Sequence, residues 1–241
     1  MGSESKKPQI IPLILEKVEE EVKAEWRPPR IPGSYRGSEL GDCPRYIQLT
    51  AMGKERELIN PELALLFKDG HLHHDAVRSW LSKTGQLTNV EFSIWKSYQV
   101  VLGKETFPIT LTGTIDGLYN GEYVLDVKSI NPFTFKVLTE EWLKENKVGY
   151  IYQLQAYLEM MNKEWGFLIF KDKAFSALKV FWFQRDPEIL QKILKKMATI
   201  TRAIRDGKMM KKPYTKSSKE CKWCQMRVHC WGVSAERRQW K

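Results

Sequence analysis

The chain of 241 residues has no apolar run long enough to cross a membrane, and nothing near its first residue resembles a signal peptide. These two absences lead us to expect a cytoplasmic protein with no membrane partner. Cysteine is scarce: four residues, unevenly placed. In a cytosolic chain that excludes a disulfide framework. No internal repeat is present, which sets aside stacked-repeat architectures.

The chain is rich in charge and aromatics. Lysine and arginine exceed aspartate and glutamate, giving a net charge of +10 and a pI near 9.3, and 12% of residues are aromatic. A basic, aromatic-rich protein points to a polyanionic partner, most often nucleic acid. A hydrophobic content of 42% supports a real core.

Periodicity divides the chain. Residues 11–26 predict an amphipathic helix ended by Arg27-Pro28-Pro29, and a Pro/Gly-rich connector runs to about 37. Helices are expected over 43–52, 61–83, 134–147 and 149–162. Strands are expected at about 90–101, 108–119, 122–128, 166–171 and 177–184. Asp186 and Pro187 predict the cap and first residue of a last long helix, stopped by Gly207. A basic tail holding three cysteines closes the chain. This order predicts an α/β or α+β core. The expected organisation is an N-terminal helix and connector over 1–37, a core over 38–208 and a basic cysteine segment over 209–241.

The hairpin TGTIDGLYNGEYVLDVKS, residues 112–129, carries charge among apolar neighbours. Side chains alternate along a strand. Tyr123, Leu125 and Val127 therefore share one face, and Val124, Asp126 and Lys128 the other. On the first strand Ile109, Leu111 and Ile115 oppose Thr112, Thr114 and Asp116. For both apolar faces to reach one core, odd residues must face odd residues. A strict two-residue Asn120-Gly121 turn breaks that rule, since a one-residue slip flips every side chain. A three-residue connection from Tyr119 to Gly121, with Gly121 left-handed, restores it. Asp116 is then expected opposite Val124 and diagonal to Asp126.

Two carboxylates at about 4–6 Å can bind a divalent cation through oxygen. Such an ion deprotonates water and neutralises phosphate charge. Lys128 on the same face can position the water or stabilise the transition state, and the Val127 backbone carbonyl lies between the two as a further candidate ligand. This is a minimal apparatus for phosphodiester hydrolysis.

G-x-I-D followed by D-x-K resembles the PD-(D/E)XK nucleases. Gly70-His71-Leu72-His73-His74 matches the G-x-x-x-H of their RecB-like branch, and Gln153-Leu154-Gln155-Ala156-Tyr157 matches its Q-x-x-x-Y, whose ends share one helix face. The resemblance covers roughly residues 38–232 and is closest to the CRISPR-associated RecB-like exonucleases. It implies a restriction-endonuclease-like α/β fold, a mixed central sheet flanked by helices, with a cysteine-bound cluster segment at the C-terminus. It implies that His74 joins Asp116, Asp126 and the Val127 carbonyl as metal ligands, with His71 and His73 as bystanders unless the helix phase differs. It places Gln153 and Tyr157 at the active site or the DNA. A histidine ligand favours Mn²⁺ over Mg²⁺. No Walker motif is present, which sets aside the helicase-fused members.

Cys221-Lys222-Trp223-Cys224 is a C-x-x-C pair, Cys230 follows, and Cys43 stands far upstream. Four cysteines can close a zinc site or an iron–sulfur cluster; three plus His229 can also hold zinc. One remote cysteine with a compact C-terminal trio resembles the iron–sulfur nucleases of the same branch. That resemblance implies a [4Fe–4S] cluster stapling the two ends of the domain, with Trp223 and Trp231 shielding it. The expected function is a Mg²⁺- or Mn²⁺-dependent exonuclease acting on single-stranded DNA or single-stranded ends, with protein partners in CRISPR adaptation or recombination. The alternatives are a standalone or viral recombination nuclease of the same chemistry, and a non-catalytic nucleic-acid-binding protein stapled by zinc.

Overall fold

A computed structural model of the chain describes residues 10–24, 31 and 33–235. In chain order its elements are α1 (Ile10–Ala24), β1 (Ser34–Arg36), a 3-10 turn (Gly37–Glu39), α2 (Pro44–Ala51), α3 (Pro61–Ser82), β2 (Leu87–Thr88), β3 (Phe92–Leu102), β4 (Glu105–Ile115), β5 (Gly117–Tyr119), β6 (Tyr123–Ile130), α4 (Pro132–Val137), α5 (Glu140–Asn146), α6 (Val148–Met160), β7 (Trp165–Asp172), β8 (Leu178–Gln184), α7 (Pro187–Arg205), α8 (Lys219–Lys222) and α9 (Arg227–Trp231). The expected end of the first helix at Arg27-Pro28-Pro29 lies outside the described residues. No helix among the described residues is long and apolar enough to cross a membrane.

The chain divides into two units. One takes the described residues of Met1–Pro29, Glu55–Asp69 and Tyr214–Lys241; the other takes those of Arg30–Lys54 and Gly70–Pro213. In the first, Gln225 Nε2 donates to the Glu57 carbonyl at 2.8 Å, and the Glu57 N–H donates to the Gln225 carbonyl at 2.9 Å. The second holds both sheets. A five-stranded mixed sheet has the order β2-β5-β6-β7-β8, and a three-stranded sheet has the order β1-β4-β3. β6 pairs parallel with β7, β1 pairs parallel with β4, and the other pairings are antiparallel.

β6 is buried on both faces. Leu125 and Val127 pack with Phe167, Ile169 and Val77 of α3. Val124 and Ile130 pack with Leu168, Phe170 and the α6 residues Leu154 and Leu158. Helices α3 and α6 therefore flank this sheet on opposite faces, the mixed α/β architecture expected from the sequence. Burying each such side chain contributes about 1.5–3 kcal/mol. The three-stranded sheet covers one face only, with Phe107, Ile109 and Leu111 packed on Ile193, Met197 and Ile200 of α7. Helix α7 begins as expected: Asp186 accepts the Glu188 amide at 2.8 Å and the Ile189 amide at 3.3 Å, and Gly207 adopts φ +64° beyond its end.

Two expected elements are broken. The helix expected over 134–147 splits into α4 and α5, because Thr139 turns extended and caps α5 by accepting the Trp142 amide at 3.1 Å. The strand expected over 108–119 splits at Asp116, with β4 in one sheet and β5 in the other.

That split corrects the hairpin register. Gly117 pairs with Leu125, Leu118 with Val124 and Tyr119 with Tyr123, so odd residues do face odd residues. The loop is three residues, Asn120 to Glu122, one residue further on than expected. Asn120 and Gly121 both have positive φ, 53° and 68°, as a type I′ turn requires. The Glu122 N–H donates to the Tyr119 carbonyl at 3.1 Å, and Glu122 is the extra residue that keeps the parity. Leu118, not Asp116, faces Val124. Nor do Leu111 and Ile115 join the core of Leu125 and Val127: Ile115 packs with Val124, and Leu111 with the α7 cluster. The reason is that the chain leaves the sheet at Asp116, so parity counted across that bend carries no meaning.

Candidate active site

The bend at Asp116 opens a gap. β5 accompanies β6 only as far as Gly117 opposite Leu125. Beyond that point, among the described residues, Asp126 to Ile130 are paired by β7 alone. A buried backbone N–H on the vacated edge needs a partner. The Val127 N–H finds it in the Asp116 side chain, donating to Oδ2 at 2.7 Å. A carboxylate thus replaces a ladder bond where β4 and β6 part.

The other Asp116 oxygen faces α3. Arg78 Nη1 donates to Oδ1 at 2.6 Å, and His74 Nδ1 lies 3.7 Å from the same atom. Arg78 also holds Asp75 and, at 3.1 Å, Glu91. Burial pushes the Asp116 carboxyl up, but the His74 imidazole, the Val127 amide and Lys128 outweigh it and hold it below its ordinary value.

Asp126 is 2% exposed. Its Oδ1 accepts a long bond from Gln153 Nε2 at 3.4 Å. Its Oδ2 lies 2.7 Å from Lys128 Nζ, yet off the line of a hydrogen bond, so this fully buried oxygen has no aligned donor. Burial raises the Asp126 pKa, with Lys128 opposing and Asp116 reinforcing. Burial works against the Lys128 ammonium too, but Asp126 outweighs it, and the lysine stays protonated above its ordinary range. Its Nζ donates to Gln153 Oε1 at 2.9 Å and sits 4.9 Å from the centre of the Tyr150 ring.

Helix α6 supplies the supports. Gln153 Nε2 also donates to the Tyr157 hydroxyl, one turn on, at 3.0 Å. Tyr157 is 3% exposed, and burial followed by Asp126 pushes its hydroxyl up to about 12. Its ring presses onto Gly37 and Gly113, where a Cβ would overlap it. Glycine at 113 is what lets α6 approach β4. Gln153 therefore links Lys128, Asp126 and Tyr157, and Tyr157 braces the site from beneath.

The structure thus brings together Asp116, Asp126, Lys128, Gln153, Tyr157 and His74. His74 is half-buried; His71 is exposed, with its ring centre 6.4 Å from that of His74. Val127 enters through its amide. Arg78 was missed from sequence. Its signal was its place one helical turn after His74, on the same face.

Among the described residues no three His, Cys, Asp or Glu side chains are gathered as a metal group. The donor chemistry nonetheless fits a divalent cation: two carboxylates, an imidazole, and one buried carboxylate oxygen without an aligned donor. None of the four half-buried cysteines is in a disulfide. Cys221 lies on α8, Cys230 on α9, and Cys43 directly precedes α2. As placed, the C-terminal trio does not form a cluster-holding group. One ring nitrogen of His229 is 2.8 Å from the Glu55 carbonyl.

In sequence, no curated protein matches the chain. In structure, it is similar to SSO0001, at 17% identity and a TM-score of 0.58, over 94% of this chain and 98% of that one. It is also similar to LHK-Exo in complex with dAMP, at 15% identity and a TM-score of 0.51, over 73% of this chain and 90% of that one. A second structure of LHK-Exo, an alkaline exonuclease from Laribacter hongkongensis, gives 14% identity and a TM-score of 0.50 over 80% and 93%. These likenesses establish a shared fold. The model of the PD-(D/E)XK nuclease superfamily matches residues 49–231. With most of its length matched, and with Asp116, Asp126 and Lys128 meeting where two strands part, the chain belongs to the PD-(D/E)XK nuclease superfamily.

Proposed function

We propose that the protein is a Mg²⁺- or Mn²⁺-dependent DNA exonuclease whose active centre is the gap between β4 and β6. The observation that carries this reading is the buried Asp126 oxygen without an aligned donor, beside a protonated Lys128 and across from Asp116. This oxygen has the Lys128 charge beside it but no aligned hydrogen bond, which leaves it free to accept a divalent cation as well. The name of the Laribacter structure, an alkaline exonuclease, supports an end-directed activity.

In this reading Asp116, Asp126, His74 and the Val127 carbonyl hold the ion. When bound, a divalent cation supplies Lewis acidity at the phosphate and lowers the pKa of water. Lys128, fixed by Gln153 and Tyr150, presents a protonated amine to the attacking water or the phosphate oxygens as charge develops. Gln153 bonds to both the Lys128 and the Asp126 head and orients them. Arg78 holds Asp116 from the α3 side, and the basic surface draws in the phosphate backbone with salt-dependent affinity.

We extend the proposal to single-stranded ends, and to end-trimming in CRISPR adaptation or recombination, on the motif order alone. The [4Fe–4S] cluster on Cys43, Cys221, Cys224 and Cys230 is likewise proposed from their spacing. The bond between His229 and Glu55 supports four cysteines over a zinc site of three cysteines and His229. Anaerobically purified protein is then brown and contains iron; colourless protein with stoichiometric zinc overturns the cluster.

The activity is tested by digesting end-labelled single- and double-stranded DNA with Mn²⁺. Progressive loss from an end that stops on adding chelator supports the proposal. Intact DNA under every metal condition refutes it.

A further inference from the structure

Among the described residues the three-stranded sheet has one face against α7 and one face open. On the open face Ser93 stands opposite Thr114, Trp95 opposite Thr112, and Ser97 opposite Thr110. Arg36 of β1 is paired with Thr112 on the other side. A cross-strand row therefore runs Arg36, Thr112, Trp95. Ser97 and Thr110 join their hydroxyls at 2.8 Å, and Ser93 and Thr114 theirs at 3.5 Å. Among the described tryptophans Trp95 is the most exposed, at 72% against 45% for Trp80.

Two properties set this face apart. Although the chain has 29 acidic residues, no Asp or Glu stands on it among the positions of β1, β3 and β4 that point outward. It also leads toward the gap: Thr114, exposed, lies near the end of β4, two residues before Asp116. From the level of Trp95, at Thr112, to Asp116 is four residues along the chain, the first three on β4, about 13 Å at roughly 3.3 Å per residue. A solvated strand face carrying hydroxyls, one guanidinium and one upright indole has the makings of a stacking platform. Sequence-tolerant single-strand binding combines a positive charge for the backbone with an aromatic face for a base.

We propose that this face is the substrate track, and that Trp95 stacks a base of single-stranded DNA a few nucleotides from the phosphate at Asp116, with Arg36 on the backbone and the hydroxyl rungs lining the path. A single strand is the occupant, because an indole standing out of the sheet needs an unpaired base to stack on. The proposal rests on the nuclease reading for its direction toward Asp116, but its binding component can be measured without cleavage.

The test uses the full chain with Trp95→Ala and Trp95→Phe. In chelator, binding of a fluorescent oligothymidylate of about 20 nucleotides weakens about tenfold in Trp95→Ala and recovers in Trp95→Phe, the size of one lost base stack. With Mn²⁺, KM for the same strand rises about tenfold while kcat holds, and turnover of a dinucleotide too short to reach Trp95 is unchanged. If wild type binds the strand but never cleaves it, and Trp95→Ala still weakens binding, the track stands and the nuclease reading fails. Cleavage by wild type with unaltered affinity and KM in Trp95→Ala overturns the track alone. No binding of the strand by wild type overturns it as well.

Discussion

The two sheets treat charge in opposite ways. In β6 every residue from Val124 to Val127 is buried, and the strand carries Asp126 and Lys128 inside. In β3 inward and exposed positions alternate, and the exposed ones are Ser93, Trp95, Ser97, Gln99 and Val101, with Phe92 at the start of the strand. A face open to water can carry polar groups at little cost, so β3 needs no partners for them. A strand flanked by helices on both faces has no such freedom, and each charge in it must be matched. Asp126 and Lys128 are matched to each other, and incompletely: one carboxylate oxygen is left without an aligned donor. The lesson is where this incompleteness falls. It falls at the point where β6 loses its neighbour, because β4 bends away into the other sheet.

The largest effect that breaks this contrast is chemical. Asp126→Ala or Lys128→Ala lowers the cleavage rate by about a thousandfold, the scale of losing a main group stabilising transition-state charge. The folded population, followed by circular dichroism, is retained. Wild-type rates in either variant place the active centre elsewhere.

Stability gives the next test. Leu125→Ala, in the doubly buried strand, costs about 2–5 kcal/mol in chemical denaturation. Ser97→Ala, on the open face, stays within about 0.5 kcal/mol. Equal effects at the two positions erase the distinction between the sheets. Gly113→Ala lies between them: its new Cβ must displace the Tyr157 ring, and overpacking of this kind costs about 1–3 kcal/mol.

The smallest expected effect sharpens the site rather than breaking it. Arg78 touches Asp116 and not the reacting groups. Its change to Ala reduces Mn²⁺ affinity about 10- to 100-fold, as for partners that orient a ligand. Arg78→Lys, which keeps the charge on Asp116, recovers part of the loss. Unchanged affinity in Arg78→Ala removes it from the site.

Much of this was legible in the chain. Asn-Gly between alternating strands gave the hairpin turn; the rule that odd must face odd gave a three-residue loop, but one residue early and from a shared core that Leu111 and Ile115 do not join. Q-x-x-x-Y on one helix face gave the Gln153–Tyr157 pair. The break at Asp116 was not legible. Thr112, Thr114 and Asp116 keep perfect alternation through it, and what ends the strand is the distant pairing of β4 with β3 rather than any local residue. Arg78 was hidden for a similar reason. It is one of 39 basic residues, and its partner is 38 residues away. The role of Gly113 was not read from the sequence: its lack of a side chain is what admits Tyr157. The cysteine reading rests on spacing alone, since Cys221, Cys224 and Cys230 are not gathered into a metal group.

The central claim is that Asp116 and Asp126 hold a divalent cation in the gap where β4 and β6 separate. Anomalous scattering from a crystal soaked in Mn²⁺ tests it directly. The account predicts a peak coordinated by both carboxylates, with Arg78 still holding Asp116 from the α3 side. A crystal saturated with Mn²⁺ that shows no peak there contradicts it.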